Sequence, residues 1–187
     1  ENIVSTYFNK KNNLNSGISE LYDYHKIILE NLFPDKHQIF NEINILFQRI
    51  KFFLENNKSP NHSFVYDQVV TYGEIISTTI INSFLNHNNI ESVWLDARDC
   101  IKTDSNYRGG NVQWAETQKN ILNKIQKGKI NVTQGFIGSD KNNFSTSLGR
   151  EGSDYSAAIF AYFLNGESLT IWKDVPGVLN GDPKVFN

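Results

Sequence analysis

The sequence predicts an α/β fold: a three-layer αβα sandwich with a mainly parallel central sheet and an N-terminal helical hairpin. Two observations support this prediction. Residues 16–56 carry apolar side chains at helical spacing with one break, and from residue 92 onward short β-type runs alternate with helical stretches. The length of 187 residues suits one domain and no linker-like stretch divides the chain, so we expect residues 1–187 to form one unit.

The helical hairpin is predicted from two apolar stripes that recur at three- and four-residue steps. Pro34 ends the first helix, because proline cannot continue one. The stripes comprise Ile18, Leu21, Tyr22, His25, Ile28, Leu29 and Leu32, then Phe40, Ile43, Leu46, Phe47, Ile50, Phe53 and Leu54. We interpret both stripes as core, and they could also contribute to a homodimer.

The remaining elements follow in alternating order. After a break at residues 59–61, the run Tyr72-Gly73-Glu74 leads into a helix that ends near residue 88. The later elements are a strand at 92–96, a helix at 113–126, a segment at 131–137, a helix after 154 with Ala157, Phe160, Ala161 and Leu164 inward, and a strand at 169–172.

Charge and composition argue against several classes of function. The 18 basic and 20 acidic residues nearly balance, so neither a nucleic acid nor a membrane surface is expected as a partner. The single Cys100 cannot form an internal disulfide, which favours a cytoplasmic setting and a buried, inert thiol. The four histidines lack the spacing of metal ligands. Asp96, Arg98, Asp99 and Asp104 are interpreted first as a structural ion-pair network, and the alternative is part of a substrate wall. Methionine is absent, so we expect Glu1 to lie inside a longer protein.

The first segment that points to chemistry couples residues 135–139 to residues 148–154. It places glycines, Arg150 and the hydroxyl of Ser153 where a helix begins. Backbone N–H groups at such a site approach an anion closely, and an arginine can grip a carboxylate with two parallel hydrogen bonds. The alternative is an ordinary helix start, with Ser153 or Asp154 as its cap and Arg150 in solvent. The residues alone leave both interpretations open.

The second segment runs from Trp172 to Lys184, directly after the last expected strand. Asp174 at the end of that strand could hold a nucleotide or a metal–phosphate group, and Lys173 and Lys184 offer positive charge for a polyphosphate. The alternative is a loop with two turns, because Pro-Gly and Asp-Pro favour turns anywhere. The chain has no GxxxxGK[ST] motif, so it is not a P-loop enzyme.

Together these segments resemble aspartate kinases of the amino acid kinase superfamily. The resemblance rests on Gly149-Arg150-Glu151-Gly152-Ser153-Asp154-Tyr155-Ser156-Ala157-Ala158, followed by Ile171-Trp172-Lys173-Asp174-Val175-Pro176-Gly177-Val178 and Asp182-Pro183. Shorter blocks match in the same order: Gly73-Glu74 before a helix, Leu95-Asp96-Ala97-Arg98 after a strand, and Gly135-Phe136. The likeness covers residues 65–187, and the hairpin before it is compatible with the family.

The resemblance implies transfer of the γ-phosphoryl group of ATP, with Mg2+, to the side-chain carboxylate of L-aspartate. The product would be 4-phospho-L-aspartate, at the start of lysine, threonine and methionine biosynthesis. Glu74 would contact the amino group of the substrate, Arg150 and Ser153 would hold its carboxylates, and Asp154 would orient catalytic lysines. The implied nucleotide-binding residues are Lys173, Asp174, Leu179 and Lys184.

The chain departs from the family pattern at three of these positions and at Glu151. Leu179 stands where Tyr is common, Lys184 where Arg is common, Lys173 where Thr is common, and Glu151 where Gly or Asn is common. The family's N-terminal Lys-Phe-Gly-Gly-Thr-Ser segment and the downstream segment with a second lysine are not in this sequence. We therefore expect residues 1–187 to be a partial catalytic domain, without ACT domains, that is inactive or very weak by itself.

Two other functions stay open on the sequence. The chain could belong to another amino acid kinase superfamily member that acts on glutamate, carbamate or a nucleotide. It could also be a non-catalytic module that binds aspartate or ATP without turnover.

Overall fold

The computed structural model describes residues 2–9 and 13–173, and over these ranges the chain forms seven helices and four strands. The helices are α1 (Asn2–Phe8), α2 (Leu14–Leu32), α3 (Ile39–Asn56), α4 (His62–His87), α5 (Ala97–Cys100), α6 (Trp114–Lys124) and α7 (Gly152–Phe163). The strands are β1 (Ser92–Leu95), β2 (Ile130–Thr133), β3 (Ile137–Ser139) and β4 (Ser145–Ser147). The mixed α/β character agrees with the prediction.

The predicted helical hairpin is present as α2 and α3, joined by a short loop after Phe33. Its apolar stripes meet each other and α4 in the largest core of the described residues, where Ile43 and Val65 are fully buried. The Tyr22 ring packs edge-on against Phe47 at a centroid distance of 5.4 Å. Most of the two stripes is thus core, as interpreted, because α4 covers them within the same chain, whereas Leu21 is exposed.

Helix α4 begins ten residues earlier than the sequence predicted, so the prediction that Gly73-Glu74 precedes a helix is wrong. The Asn61 side chain caps α4 by accepting a hydrogen bond from Phe64 N at 3.1 Å. Gly73 and Glu74 lie in the middle of α4, where a glycine costs about 1 kcal/mol relative to alanine. Packing of α4 against both the hairpin and the strands outweighs that cost.

The strands form two separate pairs. β1 and β2 are parallel, in the register Ser92↔Ile130 to Leu95↔Thr133, as expected for an α/β fold. β3 and β4 form an antiparallel hairpin that the sequence analysis did not predict. The prediction of a strand at 169–172 is wrong, because residues 168–173 have no regular secondary structure. A strand needs a neighbour for its backbone hydrogen bonds, and no described strand pairs with this segment.

The turn after β1 is held by polar contacts. Asp96 caps α5 by accepting from Arg98 N at 3.0 Å and pairs with the Arg98 guanidinium at 2.6 Å. Asp96 and Arg98 thus form an ion pair, in agreement with part of the predicted network. Asp99 instead pairs with Lys124 at 3.1 Å, and Asp104 accepts from Asn111 at 2.7 Å. The Gln134 side chain, after β2, accepts a hydrogen bond from Ala97 N at 2.7 Å and ties the ends of both parallel strands together. Cys100, within α5, is fully buried, and its burial raises the pKa of the thiol to about 11.

Helix α7 buries a different face from the one predicted. Ser156 and Ile159 are its buried side chains, while Leu164 lies beyond the helix end and is exposed. Ala157, Phe160 and Ala161 are half-buried, so the prediction that they face inward holds only in part. Across residues 2–9 and 13–173, no helix combines the length and apolarity that crossing a bilayer requires.

Candidate functional site

The glycine-rich turn before α7 has an unusual backbone. Gly149 has φ +79° and Glu151 has φ +56°, so the chain passes through two left-handed positions immediately before the helix starts at Gly152. Glycine adopts this conformation freely, whereas a side chain there costs about 1–2 kcal/mol. Glu151 occupies the N-cap position without a side-chain cap, so neither Ser153 nor Asp154 caps the helix as the alternative interpretation expected.

The end of β2 packs directly against the first turn of α7. A Cβ on Gly135 would lie 3.0 Å from the Cα of Ser153, so only a glycine allows this approach. The next residue, Phe136, has φ +70°; its N–H donates to Ser156 Oγ at 2.9 Å, and its carbonyl accepts from Leu148 N at 2.8 Å. The two halves of the first predicted segment are therefore in contact, as the sequence analysis coupled them.

The second predicted segment reaches the same turn. Lys173 Nζ lies 2.7 Å from Asp154 Oδ2 and 3.0 Å from Glu151 Oε2. The hydrogen bond to Asp154, and then the one to Glu151, raises the pKa of Lys173, so the lysine is firmly cationic. Asp174, Leu179 and Lys184 lie outside the described residues, and their predicted roles stay predictions.

Glu74 lies half-buried on α4, and its burial raises the pKa of its carboxyl. No hydrogen-bond or ion-pair partner for this carboxylate is found among the described residues. One turn later, the hydroxyl of Thr78 accepts from Gln134 Nε2 at 2.7 Å. Glu74 is therefore connected through Thr78 to the residue that precedes Gly135, and its free acceptor suits a cationic group.

Arg150 and Ser153 are both exposed. Neither side chain has a hydrogen-bond partner among the described residues, so each is free to contact a ligand. Beside Ser153 a mostly apolar cleft of about 440 Å³ runs between β2 and α7. It is lined by Ile125, Asn131, Thr133, Gln134, Gly135, Ser153, Ser156, Ala157, Phe160 and Leu164. Thr133 Oγ1 is a buried side-chain atom without a partner on this wall.

A buried carboxylate that the sequence analysis missed supports the turn from behind. Asp67 on α4 is fully buried and accepts from Arg108 N at 2.8 Å, Ser147 N at 2.9 Å and Ser147 Oγ at 2.7 Å. Desolvation by burial raises the pKa of Asp67 against the lowering effect of these donors. Because Ser147 leads into Gly149, Asp67 fixes the strand end from which the turn departs.

The loop that contains Arg108 also touches the turn. Arg108 has φ +67°, its guanidinium stacks over the Tyr66 ring at 4.3 Å, and its carbonyl oxygen would lie 3.4 Å from a Cβ on Gly149. Left-handed non-glycine residues cluster at functional sites, because strain persists only where the surroundings impose it. Arg108, Phe136 and Glu151 thus mark the surface around Gly149 as the candidate site. A sequence gives no signal for such backbone positions when glycine is absent.

Comparisons with known proteins identify the family of this chain. The model of the amino acid kinase family matches residues 6–187. Lysine-sensitive aspartokinase 3 of Escherichia coli strain K12 is 32% identical over 153 residues, 80% of this chain and 34% of the relative. Bifunctional aspartokinase/homoserine dehydrogenase 1 of Arabidopsis thaliana chloroplasts is 36% identical over 121 residues, 63% of this chain and 13% of the relative. The chain therefore spans about a third of the first relative and about an eighth of the second.

A solved structure extends the similarity to the fold. The crystal structure of E. coli aspartokinase III in complex with aspartate and ADP, in its R-state, matches with a TM-score of 0.85 and 27% identity. The match covers 98% of this chain and 42% of that one. The same enzyme in complex with lysine and aspartate, in its T-state, also matches with a TM-score of 0.85. A family model that covers almost the whole sequence, together with this structural likeness, shows that the chain belongs to the amino acid kinase family.

Proposed function

We propose that this chain is part of an aspartate kinase, which transfers the γ-phosphoryl group of ATP to the side-chain carboxylate of L-aspartate. The observation that carries the proposal is the contact between Lys173 and Asp154, because it joins the start of the second segment typical of aspartate kinases to the first. The aspartokinases of E. coli and A. thaliana support it as relatives. The E. coli structure that holds aspartate and ADP supports it as a structural neighbour.

The substrate amino acid is proposed to bind between α4 and the glycine-rich turn. Arg150 holds its carboxylates through paired hydrogen bonds, and Ser153 adds a donor next to Gly135. Glu74 accepts from its ammonium group, which supplies the partner that the half-buried carboxylate lacks among the described residues. Cation and anion recognition at opposite ends of a small dicarboxylic amino acid would fix its orientation.

The nucleotide is proposed to lie against the segment that begins at Lys173. Lys173 supplies positive charge beside the turn, Asp174 and Leu179 contact the nucleotide, and Lys184 contacts its phosphates. Leu179 cannot stack on the base as an aromatic ring would, so we expect a weaker contact there.

The chemistry requires alignment and charge neutralisation more than proton transfer. A carboxylate nucleophile is already ionised near neutral pH, so no general base is needed. One carboxylate oxygen of aspartate forms the new bond to the γ-phosphorus while the bond to the bridging oxygen of ATP breaks, which gives ADP and 4-phospho-L-aspartate. Asp154 orients the cations that neutralise the developing charge.

Mg2+ is proposed to arrive bound to the triphosphate. Magnesium is commonly held by phosphate oxygens and water with one or two carboxylates. Within residues 2–9 and 13–173, no group of three or more His, Cys, Asp or Glu side chains is arranged for a metal ion. We therefore assign no protein ligand set to the ion. When bound with the nucleotide, Mg2+ would supply neutralisation of charge on the transferring group.

Further proposals concern the whole protein. We propose that residues 1–187 are part of one catalytic domain, that the protein acts in the cytoplasm in lysine, threonine and methionine biosynthesis, and that it forms a homodimer. Size-exclusion chromatography with light scattering on the full-length protein measures its mass. A monomer at micromolar concentration contradicts the homodimer.

The activity is tested on the full-length protein that contains this chain. ADP release is coupled to a spectrophotometric readout with L-aspartate, L-glutamate, carbamate and nucleoside monophosphates as acceptors, and the acyl phosphate is trapped with hydroxylamine. We expect turnover with L-aspartate alone, and an increase in KM for aspartate of about 100-fold in Arg150→Ala, as for loss of a charge-assisted hydrogen-bond pair. Turnover with another acceptor supports a different kinase of the family. Binding of aspartate and ATP without turnover supports a non-catalytic module.

A further inference from the structure

The first turn of α7 carries two carboxylates where the binding of anions is proposed. Glu151 and Asp154 are three residues apart and face the same side of the helix start, since both reach Lys173 Nζ. Aspartate and ATP are both anionic, and each unbalanced carboxylate nearby opposes their binding. One lysine faces both groups at 2.7 and 3.0 Å.

Glu151 is held at this position by its backbone. Its φ of +56° lies in the left-handed region, which a glutamate adopts only where the surrounding structure imposes it. The tight contact between Gly152 and the Phe136 ring, 2.8 Å from the place of a Cβ, shows how closely the turn is packed. The Glu151 carboxylate lies beside the site, 3.0 Å from Lys173 Nζ.

We infer that Lys173 is the counter-ion of Glu151, and that this pair sets the affinity of the site for its anionic substrates. The inference rests on the proposed function and refines the role of Lys173 within it. A lysine that binds the phosphates directly contributes whether or not Glu151 is charged. A lysine that balances Glu151 together with Asp154 matters less once Glu151 is neutral.

A double-mutant cycle separates these two roles. Lys173→Met and Glu151→Gln each remove a charge and nearly conserve side-chain shape, and the Gln variant keeps a side chain at the left-handed position. In the full-length protein we expect Lys173→Met to raise KM for aspartate and ATP about tenfold, with a smaller change in kcat. In the Glu151→Gln background Asp154 still pairs with Lys173 at 2.7 Å, so we expect the same substitution to raise KM by a smaller factor, about threefold.

Controls test whether the effect is electrostatic. Lys173→Arg keeps the charge but changes the geometry of the donors, so we expect its KM values to lie between those of the wild type and those of Lys173→Met. Added salt should shrink the KM defect of Lys173→Met, because exposed charges are screened over about 10 Å at 0.1 M ionic strength. Lys124→Met removes the lysine of another exposed ion pair, Lys124–Asp99 at 3.1 Å, which is outside the site. This variant should leave both KM values unchanged.

Equal KM increases in the two backgrounds would overturn the inference and assign Lys173 to direct phosphate contact. Unchanged KM values in Lys173→Met would also overturn it, because the ion pair would then have no influence on substrate binding. If the wild-type protein transfers no phosphoryl group to aspartate, the proposed function fails separately. The same variants are then titrated calorimetrically with ATP and with aspartate, where the dissociation constants must show the same dependence on Glu151.

Discussion

The helical half of the molecule and its glycine-rich half are stabilised in different ways. Helices α1 to α4 bury apolar side chains such as Leu29, Ile43 and Val65 against one another. Around Gly149, by contrast, the chain is held by hydrogen bonds to the buried Asp67 and passes through left-handed residues. The burial of apolar side chains stabilises the first region, and hydrogen bonds to backbone groups stabilise the second.

This difference separates stability from function. Apolar packing tolerates an exchange of side chains of similar size, and it specifies no ligand. A turn held by a few buried polar contacts has no such tolerance, but it can present free groups such as Arg150 and Ser153 to a small molecule. Substitutions in the two halves should therefore differ in what they change as well as in how much.

The largest effect is expected in the helical core. Phe47 is 4% exposed within the hairpin, so Phe47→Ala should lower the free energy of unfolding by about 3–5 kcal/mol through lost burial and a new cavity. Phe52, on the same helix, is 68% exposed, and Phe52→Ala should change the free energy of unfolding by less than about 0.5 kcal/mol. Urea unfolding of both variants measures the difference. Similar values for the two would contradict the assignment of this core.

The next effect concerns the polar support of the turn. Asp67→Ala leaves two buried N–H donors and a hydroxyl without their acceptor, which should cost about 2–3 kcal/mol and raise KM for aspartate. Asp67→Asn should cost less than about 1 kcal/mol, because its amide oxygen can accept both N–H groups while the Ser147 hydroxyl turns to accept. Urea unfolding and aspartate kinetics report the two effects. An equal loss in both variants would contradict the hydrogen-bond scheme.

The two halves also differ in how far the sequence predicts them. The hairpin was predicted within a few residues, because Phe40, Ile43 and Phe47 repeat at helical spacing and Pro34 ends the first helix. The same periodicity did not locate the start of α4. A helix that packs on two sides has apolar residues all round, so its boundary depends on the cap at Asn61.

Around the site, the sequence predicted composition but not geometry. The motif that contains Arg150 and Asp154 located the turn, since its glycines and its position before a helix are readable signals. The left-handed backbone of Phe136 and Arg108 was not readable, because tertiary contacts impose it on residues that do not favour it. Asp67 was missed for a similar reason: only the fold brings it to Ser147, 80 positions along the chain.

A smaller effect is expected from releasing backbone strain. Glu151→Gly removes a side chain from a left-handed position and should raise the free energy of unfolding by about 0.5–1 kcal/mol, less the small contribution of the Lys173 pair. Lys36→Gly is the matched control, since Lys36 has φ +69° in the loop between α2 and α3, far in sequence from the site. Thermal unfolding should show a similar gain for both variants. A loss of stability in Glu151→Gly alone would mean that its side-chain contacts outweigh the strain.

The smallest change in stability is expected at Glu74, where stability and function should move in opposite directions. Burial without a partner disfavours the charged form, so Glu74→Gln should raise the free energy of unfolding at neutral pH by less than about 1 kcal/mol. The same substitution should raise KM for aspartate roughly 10- to 100-fold, because an ammonium–carboxylate hydrogen bond is lost. Glu167→Gln, in an exposed loop, should change neither quantity.

The effect of Glu74→Gln on the free energy of unfolding should depend on pH, in a direction set by the pKa of Glu74. The pKa of Glu74 in the folded protein is raised above its ordinary value of 4.5, so the folded state holds this proton to higher pH than the unfolded state. Folding stability therefore falls as pH rises from 4.5 through the folded-state pKa, and the penalty is complete at neutral pH. The advantage of Glu74→Gln should be present at pH 7 and should vanish below pH 4.5. An advantage that grew toward acid pH would mean that the folded protein stabilises the Glu74 carboxylate. Glu74 would then already have a partner and would not be a free acceptor for the amino group of the substrate.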